Sequence, residues 1–148
     1  MTAAQPGLFD THAHFFSSDT ARFPIDVAGA REGEDAITSR IAAAPLDAET
    51  LLGLWGQTSV TGGAAVQYNS VYKTDNRYAL AVGDRYADRT ATVLILNAAD
   101  PSSPDEVRRL ASEHNVSGLR LFGYADGDGE YPWLDSPAAL RTWGAAAE

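Results

Sequence analysis

The sequence predicts an α/β fold of four strand-helix units, a (βα)4 arrangement with parallel strands that corresponds to half of a (β/α)8 TIM-type barrel. Strand and helix patterns alternate from residue 46 onward. The second, third and fourth predicted strands begin near Ala64, Ala91 and Gly118, at steps of 27 residues. This step is close to the ~31 residues per unit that follow when ~250 residues share eight units. Strand, helix, strand in sequence implies parallel pairing with right-handed crossovers, in an open doubly wound sheet or in a barrel.

The first predicted strand is the stretch LFDTHAHFF, residues 8–16. Because side chains alternate across a strand, Asp10, His12 and His14 share one face. The other face is predicted to be apolar and contains Phe9, Thr11, Ala13 and Phe15. The strand therefore has one face for packing and one for chemistry.

The remaining elements are predicted from capping residues and apolar spacing. A helix over 46–57 begins at the cap Asp47, and the pair Gly62 and Gly63 ends that unit. A helix over 103–115 begins at a capping box with Ser103 as N-cap, followed by Pro104 and Glu106. The other predicted elements are, in chain order, a strand within 64–72, a helix over 74–88, a strand over 89–99, a strand over 116–124 and a helix over 136–148 that begins at Ser136.

Residues 17–45 show no clear periodicity. Structureless segments longer than ~15 residues are uncommon in compact domains and are usually functional covers or disordered. We therefore expect a long loop at about 17–45, between the first strand and the first helix.

Composition excludes several classes of protein. The chain has 148 residues, which is the length of one domain, and its formal net charge is −9. Because Lys and Arg are not clustered, nucleic acid is not expected as a partner. The absence of cysteine excludes a thiolate metal site and a cysteine nucleophile and fits a reducing compartment. No apolar run approaches the ~18 residues of a membrane span, so a cytoplasmic protein with no membrane partner is expected.

The histidine pair is the strongest candidate for chemistry. Two imidazoles at positions i and i+2 of one strand have Cα atoms ~6.6 Å apart, so the rings of His12 and His14 can converge on one ion or one substrate oxygen. The alternative is a chance pair within a satisfied core. A functional role is favoured because active sites in such folds lie at the carboxyl ends of parallel strands.

Arg120 and three polar residues near the end of the second strand are further candidates. Arg120 lies between Leu119 and Leu121, and a buried guanidinium needs a carboxylate of the protein or of a substrate as partner. Gln67, Tyr72 and Asn76 crowd the second strand with hydrogen-bonding groups, although loop capping also explains Asn76. His114 ends an apolar helical stripe, which favours a packing or capping role.

The stretches FDTHAHFF, VQYNSVYKTDNR, GLRLF and WLDSPAALRTWGAAAE together resemble the amino-terminal half of the amidohydrolase-2 family, in the amidohydrolase superfamily. Within that family they are most similar to the pyrone-dicarboxylate lactonase and sugar-lactonase branch. The resemblance spans nearly all of residues 1–148 and implies a (β/α)8 barrel that hydrolyses lactones or amides.

The resemblance also implies roles for the candidate residues. His12 and His14 match strand-one histidines that bind a divalent metal ion, such as zinc or manganese, or contact substrate directly in metal-independent lactonases. Arg120 matches a segment that binds substrate carboxylates. Three further residues match the segment that lines the pocket in the family: Gln67, Tyr72 and Asn76. The implied substrate is a small carboxylate or lactone.

The family's later strands bear further histidines and a catalytic aspartate, and these have no counterpart in the sequence. We therefore expect this chain to be inactive unless another chain supplies the remaining strands, by homo-oligomer formation or by pairing with a carboxyl-terminal half. Two other functions stay open at this stage. One is a non-catalytic half-barrel that serves as an interaction or assembly module, and the other is an aromatic-acid decarboxylase of the same superfamily.

Overall fold

The computed structural model describes residues 7–44, 46–122 and 127–148. The described residues form four strands and six helices in the order β1 (Leu8–Ala13), α1 (Glu34–Ala43), α2 (Ala48–Gly56), β2 (Val60–Val66), α3 (Asn69–Tyr72), α4 (Arg77–Arg85), β3 (Thr90–Asn97), α5 (Ser103–Glu113), β4 (Gly118–Phe122) and α6 (Pro137–Ala146). In this part of the chain, each helix is too short or too polar to span a bilayer.

The four strands form one parallel sheet in the order β1-β2-β3-β4. Each strand pairs with the next one along the chain, and helices connect consecutive strands, as in a barrel whose strands follow one another in sequence order. The sheet is curled into a half-barrel, so the predicted (βα)4 fold is confirmed. Its edges in the described structure are β1 and β4.

The helices cover one face of the sheet with apolar side chains. Beside the first two strands the buried cluster includes Phe15, Trp55 and Tyr78, and beside the third it includes Leu94 and Leu110. Because Leu119 packs against this second cluster, the intervening Arg120 lies on the opposite, concave face of the sheet. The alternation in sequence thus separates a packing face from a face that is open to a ligand.

The outward face of β1 is only partly buried, contrary to prediction. Ala13 and Phe15 are buried, but Phe9 is 55% exposed and Thr11 is also exposed. Since β1 is an edge strand, the described residues leave its first half uncovered. The strand also ends at Ala13, earlier than the predicted residue 16.

The second strand begins earlier than predicted, at Val60, and contains Gly62 and Gly63. We predicted that these glycines end the preceding helix unit, which is wrong. A Cβ atom on Gly62 would lie 2.7 Å from the Arg89 carbonyl oxygen, and one on Gly63 would lie 2.6 Å from the Trp55 ring. The glycines are therefore strand residues that allow close approach of the neighbouring backbone and of α2.

Two further predictions need correction. Residues 17–45 contain α1, a helix that sequence periodicity did not indicate because only Ile37 and Ile41 are buried on it. The N-cap of α5 is Ser102, not Ser103. The Ser103 hydroxyl instead donates a hydrogen bond of 2.7 Å to the Asn97 carbonyl oxygen at the end of β3.

The caps predicted for α2 and α6 agree with the structure, whereas the helix over 74–88 was predicted to begin at Thr74 or Asp75 and α4 instead has Asn76 as its N-cap. The Asp47 side chain accepts a hydrogen bond from the Thr50 N–H at 2.9 Å, at the start of α2. The Ser136 hydroxyl accepts one from the Ala139 N–H at 3.2 Å, at the start of α6. These capping bonds fix where each helix leaves the preceding loop.

Two helical glycines give opposite predictions for substitution by alanine. A Cβ atom on Gly83 of α4 would clash with the Thr92 hydroxyl and lie 3.1 Å from the Asn115 carbonyl oxygen. We expect Gly83→Ala to lower the free energy of unfolding by about 1–3 kcal/mol, because the added methyl group would overpack the core. The matched control is Gly53→Ala in α2, where nothing lies within 4 Å. It should raise the free energy of unfolding by about 0.5–1 kcal/mol. Urea denaturation measures both, and a stabilising Gly83→Ala would contradict the tight α4–β3 contact.

Candidate active site

Two imidazole rings meet at the carboxyl end of β1. His12 lies on the strand and His14 directly follows it, with Ala13 between them turned into the core. The two Nε2 atoms are 3.2 Å apart, and the ring planes are nearly perpendicular at 89°. His12 is exposed and His14 is half-buried. The predicted convergence of the two rings on one point is thus present in the structure.

A backbone hydrogen bond defines the tautomer of His14. Its Nδ1 atom lies 2.9 Å from the Val66 carbonyl oxygen at the end of β2. A carbonyl oxygen only accepts hydrogen bonds, so Nδ1 must bear the proton. In the neutral ring, Nε2 is then unprotonated and carries a lone pair. The proton in the contact with His12 therefore belongs to the His12 Nε2 atom.

Burial lowers the pKa of His14 below its ordinary value, and it is the largest contribution. The hydrogen bond to Val66 raises this pKa, and the charges of His12 and Arg120 lower it again. His14 is consequently neutral at pH 7, with its Nε2 lone pair available to a cation or a proton. Arg120, which comes from β4, thus lies close enough to His14 to lower its pKa.

Arg120 pairs in register with Ile95 of β3 and points to the concave face of the sheet. It is half-buried. The half-barrel thus brings together three of the predicted site residues, His12, His14 and Arg120, on its open face. A cation in this position can bind a carboxylate that lies near the imidazoles.

Asp10 stabilises the backbone beside the histidine pair. One carboxylate oxygen accepts a hydrogen bond from the His12 backbone N–H at 3.1 Å, and the other accepts one from Trp55 Nε1 at 3.3 Å. Asp10 thus links the strand that bears the histidines to α2, which makes it a positioning group in this structure.

Gln67, Tyr72 and Asn76 are buried in the segment between β2 and α4. The Gln67 amide donates to the Asp75 carbonyl oxygen at 2.6 Å, and the Tyr72 hydroxyl accepts the Ser17 N–H at 2.8 Å. In these contacts both residues hold loops in place at the carboxyl ends of β1 and β2. Direct contact with substrate stays a prediction for all three.

Asn76 brackets one residue of the central strand β3. Its Oδ1 atom accepts the Ile95 N–H at 3.0 Å, and its Nδ2 atom donates to the Ile95 carbonyl oxygen at 2.8 Å. The Asn76 amide therefore makes the two hydrogen bonds that the backbone of a neighbouring strand would make with Ile95. These bonds hold the start of α4 against β3.

Sequence reasoning missed a group of polar residues beside His14. The ring of Tyr68 stacks on His14 with centroids 4.5 Å apart and planes inclined by 10°. The Tyr68 hydroxyl accepts a hydrogen bond of 2.5 Å from Arg40 of α1 and lies 3.5 Å from Glu32. Glu32 also accepts a bond of 2.8 Å from the Ser70 hydroxyl. The one available signal was the position of Tyr68 directly after Gln67.

The histidine pair fits two ligands of a divalent cation. Tetrahedral zinc with Zn–N bonds of ~2.0–2.1 Å places two ligand nitrogens about 3.3–3.4 Å apart, close to the 3.2 Å between the Nε2 atoms. The His14 Nδ1–H bond to a carbonyl oxygen is the outer contact that orients histidine ligands. Among the described residues there is no cluster of three or more acidic or histidine side chains suited to a metal. Two imidazole nitrogens in this arrangement would fill two positions of a coordination sphere.

The third histidine is outside this site. His114 Nδ1 lies 2.7 Å from an Asp84 carboxylate oxygen, and the residue terminates α5. Asp84 also accepts the Asn115 N–H at 2.9 Å. This contact joins the end of α5 to α4, in agreement with the predicted packing or capping role.

The fold and the site define a half-barrel with a histidine pair at the carboxyl ends of its strands. The chain is similar to a crystal structure of a probable 2-pyrone-4,6-dicarboxylic acid hydrolase from Acinetobacter baumannii with citric acid bound, with a TM-score of 0.65 and 21% sequence identity. The match covers 93% of this chain and 45% of the other, so this chain spans a little under half of that protein's length. No family model and no curated protein matches the chain. The similarity shows the fold that the two chains share.

The His14 environment predicts a specific dependence on pH. The folded chain binds the His14 proton less tightly than the unfolded chain, since burial lowers the pKa from 6.5. The stability associated with His14 is therefore complete above pH 6.5 and is lost as pH falls through the lowered pKa. Nitrogen NMR of the histidine rings should show a midpoint below 6.5 and an Nδ1–H tautomer. Urea unfolding of His14→Gln should lack this part of the pH dependence. A wild-type midpoint at or above 6.5 would contradict the described burial.

Substitution of Asn76 separates a role in the scaffold from one in substrate contact alone. Asn76→Ala leaves the buried Ile95 N–H and carbonyl without partners, and we expect the free energy of unfolding to fall by about 2–4 kcal/mol. Asn97→Ala is the control, because the Asn97 side chain is exposed and accepts a hydrogen bond from the nearby Ala99 N–H. It should cost less than about 1 kcal/mol in urea denaturation. Equal costs would show that Asn76 is dispensable for folding and would favour a direct role in binding.

Proposed function

We propose that this chain is the amino-terminal, carbonyl-activating half of an amidohydrolase-type hydrolase. The substrate class is a lactone, or a related cyclic ester or amide, of a small carboxylic acid. The observation that supports this most directly is the pair of Nε2 atoms 3.2 Å apart on the concave face, with the His14 lone pair turned toward His12. The similarity of fold to a probable 2-pyrone-4,6-dicarboxylic acid hydrolase supports the same reaction class.

His12 and His14 are proposed to hold one divalent cation, zinc or manganese. The neutral His14 cannot donate from Nε2, so this nitrogen suits a cation better than a carbonyl oxygen. A bound divalent ion supplies polarisation of the substrate carbonyl and a lowered pKa for bound water. His14 is oriented for this role by Val66 on one side and by the stacked Tyr68 ring on another.

Arg120 is proposed to bind a carboxylate of the substrate. It faces the same side of the sheet as the histidines, and its charge acts on His14. Gln67, Tyr72 and Asn76 are proposed to form the rigid back of the pocket. A guanidinium at this point orients the acyl group relative to the imidazoles, which is how a positioned cation lowers a reaction barrier.

A complete site needs further groups, including a base that activates water. We propose that these come from additional strands, provided by a second copy of the chain or by a carboxyl-terminal half. The exposed apolar residues at the two sides of the half-barrel support this: Leu8 and Phe9 are 60% and 55% exposed on β1, and Leu140 and Trp143 are 57% and 48% exposed on α6. A helix that follows one strand packs over the next strand in such folds, so α6 suits a strand added beside β4. We also propose a cytoplasmic location. We propose no nucleic-acid partner, and the net charge of −9 supports this.

Removal of one imidazole tests the proposal. We expect His14→Ala to lower zinc affinity by at least about 100-fold in calorimetric titration, because loss of outer contacts alone typically costs 10–100-fold. The control is His114→Ala, since His114 contacts Asp84 outside the site, and its zinc affinity should equal that of the wild type.

The same variants are then assayed for hydrolysis of 2-pyrone-4,6-dicarboxylate and of sugar lactones, with sedimentation measured on each sample. Ring opening should occur only in samples whose mass exceeds the 15.7 kDa of one chain, and His14→Ala should abolish it. Release of carbon dioxide from an aromatic acid would indicate a decarboxylase instead. A barrel-sized assembly that turns over no lactone would indicate an interaction module.

A further inference from the structure

A cavity of about 160 Å³ lies between α5, α6 and the strands β3 and β4, on the face of the sheet that the helices cover. Alanines of α5 and α6 form part of its wall, and the rest is mainly aliphatic. The six larger aliphatic side chains that line it are Leu94, Leu96, Val107, Leu110, Val116 and Leu119. The cavity is thus bounded mainly by hydrocarbon.

The register of β3 and β4 brings the lining residues together. Leu94 pairs with Leu119, and both belong to the apolar cluster that also contains Leu110 of α5. Leu94 and Leu110 are 2% and 4% exposed, so this side of the cavity is part of the protein core. The opposite side is formed by Ala145 and Ala146 of α6, whose side chains extend only one carbon beyond the backbone. These short side chains account for the space between α6 and the leucines.

Polar side chains reach only the rim of the cavity. Those that line it are Ser117 and Glu148, and both residues are exposed to solvent. The Glu148 carboxylate accepts hydrogen bonds of 2.6 and 2.7 Å from the Arg108 guanidinium, which join the segment after α6 to α5. A buried water typically needs about two to four hydrogen-bond partners. The side chains of the wall therefore suit an apolar occupant better than water.

We propose that this cavity is a binding site for a small, uncharged apolar molecule of the size of one aromatic ring. In another protein, a cavity of ~150 Å³ lined by aliphatic and aromatic side chains stays dry and binds benzene or xenon. The volume of about 160 Å³ and the aliphatic wall match that case. A charged ligand does not suit the site, because it would lose its hydration, and the arginine nearest the rim is already bound to Glu148.

The site lies apart from the histidine pair. It is lined by the first residues of β4, Gly118 and Leu119, on the helix-covered face of the sheet, whereas the histidines lie at the carboxyl end of β1. Leu119 faces the cavity, and the next residue, Arg120, faces the concave side. A bound molecule would therefore contact the strand that carries Arg120 from its other face. The inference does not depend on the proposed hydrolase function.

Titration with benzene tests the inference, with the methyl NMR signals of the leucines as the measurement of location. The signals of Leu94, Leu110 and Leu119 should shift and reach saturation, because these side chains line the cavity. The signals of Leu52 should stay in place, since this residue belongs to the other buried cluster, beside the first two strands. The same titration gives the affinity for benzene.

Substitutions that fill the cavity from two sides provide the second measurement. Ala145→Leu adds a side chain from α6, where the alanine is buried, and Ala111→Leu adds one from α5 at an exposed position. We expect each to lower the affinity for benzene at least about tenfold, because the leucine takes up the space that the ring needs. Ala36→Leu is the matched control, since Ala36 is exposed on α1 and outside the cavity, and it should bind benzene as the wild type does.

Circular dichroism confirms folding of each variant, and Ala111→Leu keeps the test decisive if the buried substitution prevents folding. The inference is overturned if the cavity signals do not saturate, if the Leu52 signals shift with them, or if folded cavity-filling variants bind benzene as tightly as the wild type. An equal loss of affinity in Ala36→Leu would overturn it as well. These titrations need no turnover, so they give the same answer whether or not the chain takes part in lactone hydrolysis.

Discussion

The hydrogen bond from His14 Nδ1 to the Val66 carbonyl oxygen is the contact on which the site depends. It joins the carboxyl ends of β1 and β2, fixes the tautomer of one imidazole and orients its lone pair toward His12. Without this bond the ring could rotate, and the 3.2 Å distance between the Nε2 atoms would not be maintained. The bond is possible because His14 lies just beyond the end of β1 and Val66 is the last residue of β2. The same hydrogen bond thus joins the ends of the two strands and sets the tautomer and orientation of His14.

Close packing around β2 positions the two strands for this contact. Gly62 and Gly63 allow β2 to lie against the Arg89 backbone and the Trp55 ring, where any side chain would collide. Trp55 in turn donates to Asp10, which holds the His12 backbone N–H. The small residues of β2 therefore determine the position of β1 relative to α2, and through it the position of both histidines.

Repeat spacing and the histidine pattern were enough to predict the half-barrel and the convergence of His12 and His14, because strand alternation alone places i and i+2 on one face. The helix α1 was not predictable, since only two buried isoleucines define its packing face and tertiary contacts stabilise it. Tyr68 was missed for a related reason. Its role depends on a ring stack with a residue 54 positions away in the chain, and no local pattern reports such a contact.

Charged groups of both signs lie near the histidine pair, although the chain as a whole is acidic. The formal charge is −9, yet the charge of Arg120 lowers the pKa of His14, and Arg40 lies over the Tyr68 ring that stacks on His14. The Glu32 carboxylate lies 3.9 Å from Arg40 and accepts a hydrogen bond of 2.8 Å from Ser70. At physiological ionic strength, charges separated by more than about 8 Å are largely screened, so the acidic groups on the outer helices act weakly at the concave face. An anionic ligand near the imidazoles would therefore respond mainly to the charged groups of the site itself. An acidic chain is in this way compatible with the proposed role of Arg120 in binding a carboxylate of the substrate.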